Sequence, residues 1–600
     1  MPKSNNNLRQ LLENRASEYP AKTFLFSEID DREWTYSEFD KAVNRTANLL
    51  IANDIKKGDV VSLLLPNSAE YIIAYFACFK IGAQAGPVNS LLKPEEIEWV
   101  VGNSEAKLIM IDSSFIDVLN DRVQPPATAG GSDPLPKSII FDCEAEATKG
   151  FSETLEQVDI FSDDDAIIVY TSGTTGKPKG CLLTHGNLIA NARQITEWLG
   201  FDEKDRLLTV MPLFHMNAVS VTTITALYAG GSTVVSPKFS VSRFWDIVAK
   251  YKITSFGSVA TMLSMLLANS NQQSAISGPS LTTHASPLPT HLRFAMCGSA
   301  PVPAEILKKF EETFDCLVIE GYGLSESTCR STFNPPNVNR RSGSCGKAIG
   351  NEMKIFDHNH VELPDGELGE IVLRGENIFK GYYKNPDATA KAFANGWFHT
   401  GDIGYRDNDG FFYIADRKSD MIIRGGENIY PREIDDLLYT HPAVESAAVV
   451  GIPDELYGEE VVAFVVLKSG YTPAPSKGGV NSATPPAGGG VAAASADGVV
   501  GAADGIVLSS GLLRKQELFT DRTAPSAKRG HPSFSNEGSS ESEGVVVTES
   551  ELIDFCKEHL ADFKCPKTIH FVDDIPKGPT GKLLKRELTN LFALHARFPL

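Results

Sequence analysis

The stretch YTSGTTGKPKG, Tyr170 to Gly180, decides how this chain is read. It follows a short apolar run within AIIVY (166–170), so its hydroxyls, glycines and two lysines are presented at the end of a strand. Glycines let backbone N–H groups close on an anion, Ser and Thr hydroxyls add donors, and Lys177 and Lys179 add positive charge. That combination is a phosphate cradle. It is not the common P-loop, which needs Gly at 171 and Ser or Thr at 178, where Thr171 and Pro178 stand.

Outward from this loop, strand and helix alternate. VVSLLL (60–65) reads as a strand, AEYIIAYFACFKIGA (69–83) and KPEEIEWVV (93–101) as helices, and LIMID (108–112) as a strand. The rhythm continues through NLIANARQITEWL (187–199), FWDIVAKY (244–251) and ILKKFEETF (306–314), which predicts an α/β fold with largely parallel sheets. Gly and Pro become denser from about Pro335 to Tyr413, around short runs such as EIVLRG and GFFYIAD, and predict a smaller, more antiparallel region. Beyond Arg417 the runs EIDDLLYTH, AAVVGI, EVVAFVVLK, ELIDFCKEHL and TIHFVDDI suffice for a compact α+β unit. Ala/Gly/Pro/Ser bias between about 470 and 548 cannot bury a core and predicts a flexible, disordered insertion.

Composition narrows the function. The chain has 600 residues and 56 Lys+Arg against 76 Asp+Glu, a formal charge of −20. With no concentrated basic patch along it, nucleic-acid binding is disfavoured. The most apolar stretch, Tyr71–Phe79, is interrupted by Lys80 well short of the roughly 20 residues a bilayer-spanning helix requires. No apolar segment follows the early Lys3 as in a secretory signal, and the terminal ARFPL is not a Ser-Lys-Leu address, so the expected location is cytoplasmic. Nine cysteines without a CxxC pair read as buried thiols rather than a disulfide framework or a zinc site.

YTSGTTGKPKG closely resembles the signature loop of the adenylate-forming enzymes, the superfamily of acyl-CoA synthetases, adenylation domains and firefly-type luciferases. The family's other motifs follow in the family's order, and the resemblance runs from about Leu8 to Leu591. It implies a large N-terminal domain (1–418) of layered α/β subdomains with a small β-rich subdomain, then a small mobile α+β lid domain (419–600) carrying the insertion at about 470–548.

Residue by residue, the resemblance assigns Thr171, Ser172, Gly173, Thr174, Thr175, Gly176, Lys177 and Lys179 to the phosphates of ATP. In EGYGLSE (320–326), Glu320, Gly321, Tyr322, Gly323 and Ser325 would border the nucleotide, with Tyr322 stacked on adenine. Glu326 matches the carboxylate that binds Mg²⁺, a hard cation whose octahedron phosphate oxygens and water complete. Ser325 replaces the usual Thr, keeping the hydroxyl and losing a methyl. CGSAPV (297–302) supplies Gly298, Ser299 and Ala300 to adenine and acyl pocket. Asp402 in WFHTGD and Arg417 in DRKSD would meet the ribose hydroxyls. The family's hinge falls two residues after this arginine, at Ser419, where Asp or Lys is usual.

RGGENIYPREI (424–434) resembles the loop lining the thiol acceptor's tunnel, with Arg424, Gly425 and Gly426 close to coenzyme A. PKGPTGK (576–582) delivers Lys582, the match to the catalytic lysine, which with Glu326 and Thr171 would carry the chemistry. MPLFH (211–215) and VAT (259–261) border the acyl pocket, giving His215, Asn217, Val259 and Thr261 beside Gly298 and Gly323. His215 is expected to line or gate rather than act as a base, because a carboxylate of pKa near 4 arrives already ionised.

The implied activity is an ATP-dependent carboxylate–CoA ligase that forms acyl-AMP and then the thioester, releasing pyrophosphate and AMP. ATP, Mg²⁺ and coenzyme A are its cofactors, and a fatty-acid or carnitine-like acid its substrate. The competing readings are an adenylation enzyme loading a carrier protein, although no carrier domain is evident, and a non-catalytic nucleotide-binding protein, which the intact motifs oppose.

Overall fold

Apolar runs too continuous to alternate between water and core form strands buried on both faces, and Val60–Leu64 is one. The computed structural model describes residues 5–116, 135–171, 178–277 (side chains to 270), 291–298, 304–425, 427–454, 456–474, 545–577, 583–585 and 587–589. Val60–Leu64 lies inside a seven-stranded sheet ordered Gly381–Tyr382, Lys179–Thr184, Asp165–Thr171, Gln84–Pro87, Val60–Leu64, Leu108–Ile111, Lys137–Ile140. The strands from Asp165–Thr171 onward pair in parallel, and the two at the other edge are antiparallel.

A second seven-stranded sheet runs Leu317–Glu320, Phe294–Cys297, Ser255–Ser258, Arg206–Thr209, Ser232–Val235, Thr23–Ser27, Glu33–Thr35, parallel except for the last pair. Helix Ala69–Ile81 starts at a Ser68 side-chain cap and stops at Gly82, whose φ of 70° suits glycine. Nearly all of its residues are buried. Lys80, the residue that broke the apolar run, is buried too, its ammonium 2.7 Å from Asp40 and 3.3 Å from Glu13. All nine cysteines carry free thiols, eight of them buried.

The β-rich region is an antiparallel sheet of Glu352–Phe356, Gly369–Arg374, Trp397–Arg406 and Phe393–Ala394, with Phe412–Arg417 paired to Trp397–Arg406. A turn at 418–420 leads to the last sheet, Glu427–Ile429, Ile422–Arg424, Gly458–Leu467 and Val444–Asp454, with Thr568–Phe571 beside Gly458–Leu467 and helices Pro431–Thr440 and Glu549–His559. The chain divides into two compact units, 1–468 with 549–600, and 469–548. In the second, Tyr471–Pro473 pairs in parallel with Val545–Val547. Most of the expected insertion, 475–544, lies outside the described residues.

Two carboxylates fasten the carboxy-terminal sheet. Asp416 accepts from the Arg432 backbone N–H at 2.9 Å, and so caps the helix that begins at Pro431 from the preceding strand. Buried Asp435 accepts from Lys585 Nζ at 2.7 Å and from the Val449 N–H at 2.6 Å. Burial raises its pKa to about 6 against the pull of Lys585 and that N–H. Asp435→Ala is expected to lower stability by about 3 kcal/mol, because it strands a largely buried ammonium. Thermal unfolding checks this, and a loss within about 0.5 kcal/mol of zero would contradict it.

Candidate active site

The phosphate-loop motif lies between two antiparallel strands in register Thr171↔Lys179 and Tyr170↔Gly180. Gly180 is needed for close packing, since a Cβ there would lie 3.0 Å from Ile168 and 3.2 Å from the Tyr170 ring. Ser172, Gly173, Thr174, Thr175, Gly176 and Lys177 lie outside the described residues, as do Ser299, Ala300, Gly426 and Lys582.

Gly381–Tyr382 extends the hairpin, pairing Tyr382 with Cys181. The Tyr382 hydroxyl donates to Glu326 Oε1 at 2.9 Å, and Lys179 Nζ sits 5.2 Å from the centre of the Tyr382 ring. One aromatic ring thus joins the stem of the phosphate loop to the candidate magnesium carboxylate. Glu326 stands in a short 3₁₀ turn, Ser325–Ser327, whose backbone is pinned by the Phe379 N–H at 2.8 Å.

Four residues earlier, Tyr322 donates to Asp402 Oδ2 at 2.5 Å, and Arg417 Nε lies 3.2 Å from Asp402 Oδ1. Asp402 and Arg417 face each other across paired strands, and Asp402 is only 3 % exposed. Burial, and next the neighbouring Asp402, hold the Tyr322 phenol well above its usual pKa, so it acts as a donor. Gly323 admits no side chain, because a Cβ would lie 1.9 Å from the Cys329 carbonyl oxygen. Gly321 is packed as closely against Thr332 and Phe333. Glu320 is directed to the Gly343 N–H at 3.2 Å, and burial raises its pKa to about 8.

On the acyl side, Val259 and Thr261 line a cavity of about 380 Å³ with Phe214, Met211, Met262 and Met265. His215 packs against Phe214, and burial lowers its pKa to about 4, leaving the imidazole neutral near pH 7. Asn217 opens a π-helical turn, Asn217–Ile224, in which Thr222 and Thr223 hydroxyls both donate to the Ala218 carbonyl. Gly298 ends the strand Phe294–Cys297 against the Arg330 side chain.

In the carboxy-terminal sheet Arg424 binds Glu460 through two nitrogens, at 2.5 and 3.1 Å, and stacks on Tyr457. Gly425 has a φ of 60°, as the turn requires. Lys577 and Leu583 pair across the ends of the PKGPTGK turn. The hinge candidate Ser419 sits mid-turn, its hydroxyl donating to Asp420 at 2.9 Å, while the Lys418 N–H remains bonded to Gly401 at 2.9 Å.

Tyr382 and Arg330 escaped the sequence reading. The run FKGYYKN announces only a turn, and a lone Arg in STCRST announces a surface residue. What gives Tyr382 its role is a partner far along the chain, Glu326, and what marks Arg330 is its burial.

The chain matches the AMP-binding enzyme family over residues 12–383, and the AMP-binding enzyme C-terminal domain over 433–484 and 535–582. It is 31% identical over 595 residues to a sulfoacetate–CoA ligase of Cupriavidus necator, covering 97% of each chain. It is 30% identical over 602 residues to a crotonobetaine/carnitine–CoA ligase of Salmonella paratyphi B, covering 97% of this chain and 98% of the relative. The structure of o-succinylbenzoate CoA synthetase from Bacillus subtilis with its acyl-adenylate intermediate aligns with a TM-score of 0.73 at 30% identity, covering 96% and 97% of the two chains. The chain therefore belongs to the AMP-binding, adenylate-forming superfamily and, within it, to the AMP-forming acid–CoA ligases. Among the described residues no helix is long and apolar enough to cross a membrane.

Two predictions come from this geometry. Tyr382→Phe is expected to weaken MgATP use by about 1 kcal/mol, roughly a fivefold rise in KM, with the melting temperature unchanged. Pyrophosphate release at varied MgATP checks it, and an unchanged KM would contradict it. Glu320 binds its proton more tightly folded than unfolded, so its contribution to stability is present in acid and is lost as pH rises through about 8. Glu320→Gln is expected to flatten this decline, gaining on the order of 3 kcal/mol over the parent above pH 8. Denaturant titrations at pH 5 and 9 check it, and parallel pH profiles for the two proteins would contradict it.

Proposed function

We propose that the protein activates a carboxylic acid with MgATP, forming acyl-AMP and pyrophosphate, and then passes the acyl group to the thiol of coenzyme A, releasing AMP. The observation that carries this reading is the double connection of one turn. Tyr322 reaches Asp402, which pairs with Arg417, and Glu326 accepts from Tyr382, whose ring lies against Lys179, so four motifs far apart in sequence meet around one nucleotide-sized region.

In the first step the carboxylate oxygen attacks the α-phosphorus and the α–β phosphoanhydride breaks. All the groups brought together carry negative charge. Thr171 and Lys179 hold the phosphate side, and Asp402 with Arg417 orients the ribose. Lys582 bridges carboxylate and α-phosphate and stabilises charge that grows in the transition state. The residues present fit a Mg²⁺ ion: Glu326 Oε1 accepts from Tyr382, and Oε2 has no hydrogen-bond partner among the described residues. Bound there, the ion would neutralise charge on the pyrophosphate leaving group. His215, neutral at pH 7, is not required as a base. In the second step the thiol attacks the mixed anhydride and AMP leaves, a far better leaving group than hydroxide.

The acyl side combines an apolar cavity beside Val259 and Thr261 with the buried polar side chain of Asn217. Lys582→Ala is expected to reduce carboxylate-dependent pyrophosphate formation by about 10³-fold, while thioester formation from supplied acyl-AMP stays within about threefold. Equal loss of both half-reactions would contradict the role given to this lysine.

A further inference from the structure

Arg330 is a buried cation without a counter-ion. Its side chain is among the largest fully buried ones and the residue is 1 % exposed, yet no described carboxylate pairs with it. Nη1 makes one long contact, 3.4 Å to the Gly321 carbonyl, and the guanidinium lies 5.3 Å from the centre of the Phe333 ring. Nε and Nη2 are buried with no partner among the described residues. The segments 172–177 and 299–303, outside the described residues, contain no Asp or Glu. Other buried cations here behave differently, Lys80 facing Asp40 and Lys585 facing Asp435, each at 2.7 Å. An unpaired buried charge is strongly destabilising, so an arginine held this way calls for an anion from outside the chain.

Two glycines and an unpartnered amide shape its surroundings. A Cβ on Gly298 would fall 2.2 Å from Arg330 Nη1, so glycine is what lets the guanidinium lie there. On the neighbouring strand, a Cβ on Gly257 would fall 2.8 Å from Asn217 Oδ1. Gly257 is in register with Met296, two residues before Gly298, so both glycines open to the same face of the sheet. Asn217 is 5 % exposed, and neither its Oδ1 nor its Nδ2 has a partner. Asn191 fixes the arginine's backbone by donating to its carbonyl at 2.6 Å, and Ser220 in turn fixes Asn191 at 3.1 Å. The cluster sits at the carboxyl ends of parallel strands, where open α/β sheets take their ligands.

We propose, building on the acid–CoA ligase reading, that Arg330 and Asn217 form the floor of the acyl pocket and select a short acid with a second anionic group at its far end, a dicarboxylate or a sulfocarboxylate. The guanidinium fork matches the paired oxygens of such a group, and the Asn217 amide adds a donor. The similarity to a sulfoacetate–CoA ligase agrees with this choice, and it replaces the long apolar chain among the expected substrates.

The test is a set of matched acids, succinate against butyrate and sulfoacetate against propionate, each with MgATP and coenzyme A and read as thioester and pyrophosphate. The wild type is expected to favour the better dianion over its matched monoacid by about 100-fold in kcat/KM. Arg330→Met is expected to reduce that preference to about tenfold or less while the KM for ATP stays within about twofold. The wild-type ratio stands by itself should the variant not fold. A wild type that uses the monoacids as well or better overturns the proposal and leaves the ligase reading intact. A variant that raises the KM for ATP equally with both members of a pair assigns the guanidinium to a nucleotide phosphate, and also overturns it. Absence of thioester with every acid in a wider panel removes the ligase reading itself, and this proposal with it.

Discussion

Asp402, held away from water between a tyrosine hydroxyl and an arginine, ties together the elements of the candidate nucleotide site. Its two oxygens take Tyr322, just past the end of the strand Leu317–Glu320, and Arg417, from the strand Phe412–Arg417 of another sheet. The turn after the strand Leu317–Glu320 is thereby fixed against the last strand pair before the hinge. The hydrogen bond from Tyr322 and the ion pair with Arg417 offset the cost of burying this carboxylate. The same turn carries Glu326 toward Tyr382 and the phosphate-loop stem, so the phosphate and ribose sides are positioned by one rigid segment.

The chemistry assigns different tasks to the two lobes. The large lobe supplies fixed dipoles, hydroxyls and carboxylates, which hold a nucleotide equally well before and after reaction. Lys577 and Leu583, which flank the proposed catalytic Lys582, pair with each other, and Lys585, two residues further on, pairs with Asp435. Asp416 and the Ile414 carbonyl, on the strand before the hinge, bind the backbone and the guanidinium of Arg432 at 2.9 and 2.7 Å. Rotation about 418–420 that carries the helix Pro431–Thr440 away would break both bonds.

Much of this was legible from sequence for identifiable reasons. The strands at 60–64, 108–111 and 165–171 are built on apolar runs without alternation, and the helices Ala69–Ile81 and His185–Leu199 end at glycines, so length and punctuation distinguish them. Motif order pointed to Tyr322, Glu326, Asp402 and Arg417, which the fold then brings together. The π-helical turn at 217–224 was not legible, because its hydrogen bonds depend on burial against neighbouring strands rather than on a residue pattern. Nor was Arg330, whose significance lies in having no acid near it in space, a property no linear spacing records. Arg424 looked like a tunnel residue, but in this orientation of the chain its guanidinium is taken by Glu460, which is remote in sequence.

The central claim, that one turn positions both ends of the nucleotide, is tested most directly by a crystal structure of the protein soaked with AMP. The account predicts ribose hydroxyls within hydrogen-bonding reach of the Asp402 carboxylate, adenine against Tyr322, and the phosphate at the Thr171–Lys179 end of the hairpin. AMP bound with its ribose away from Asp402, and with the Tyr322–Asp402 contact undisturbed, would contradict it.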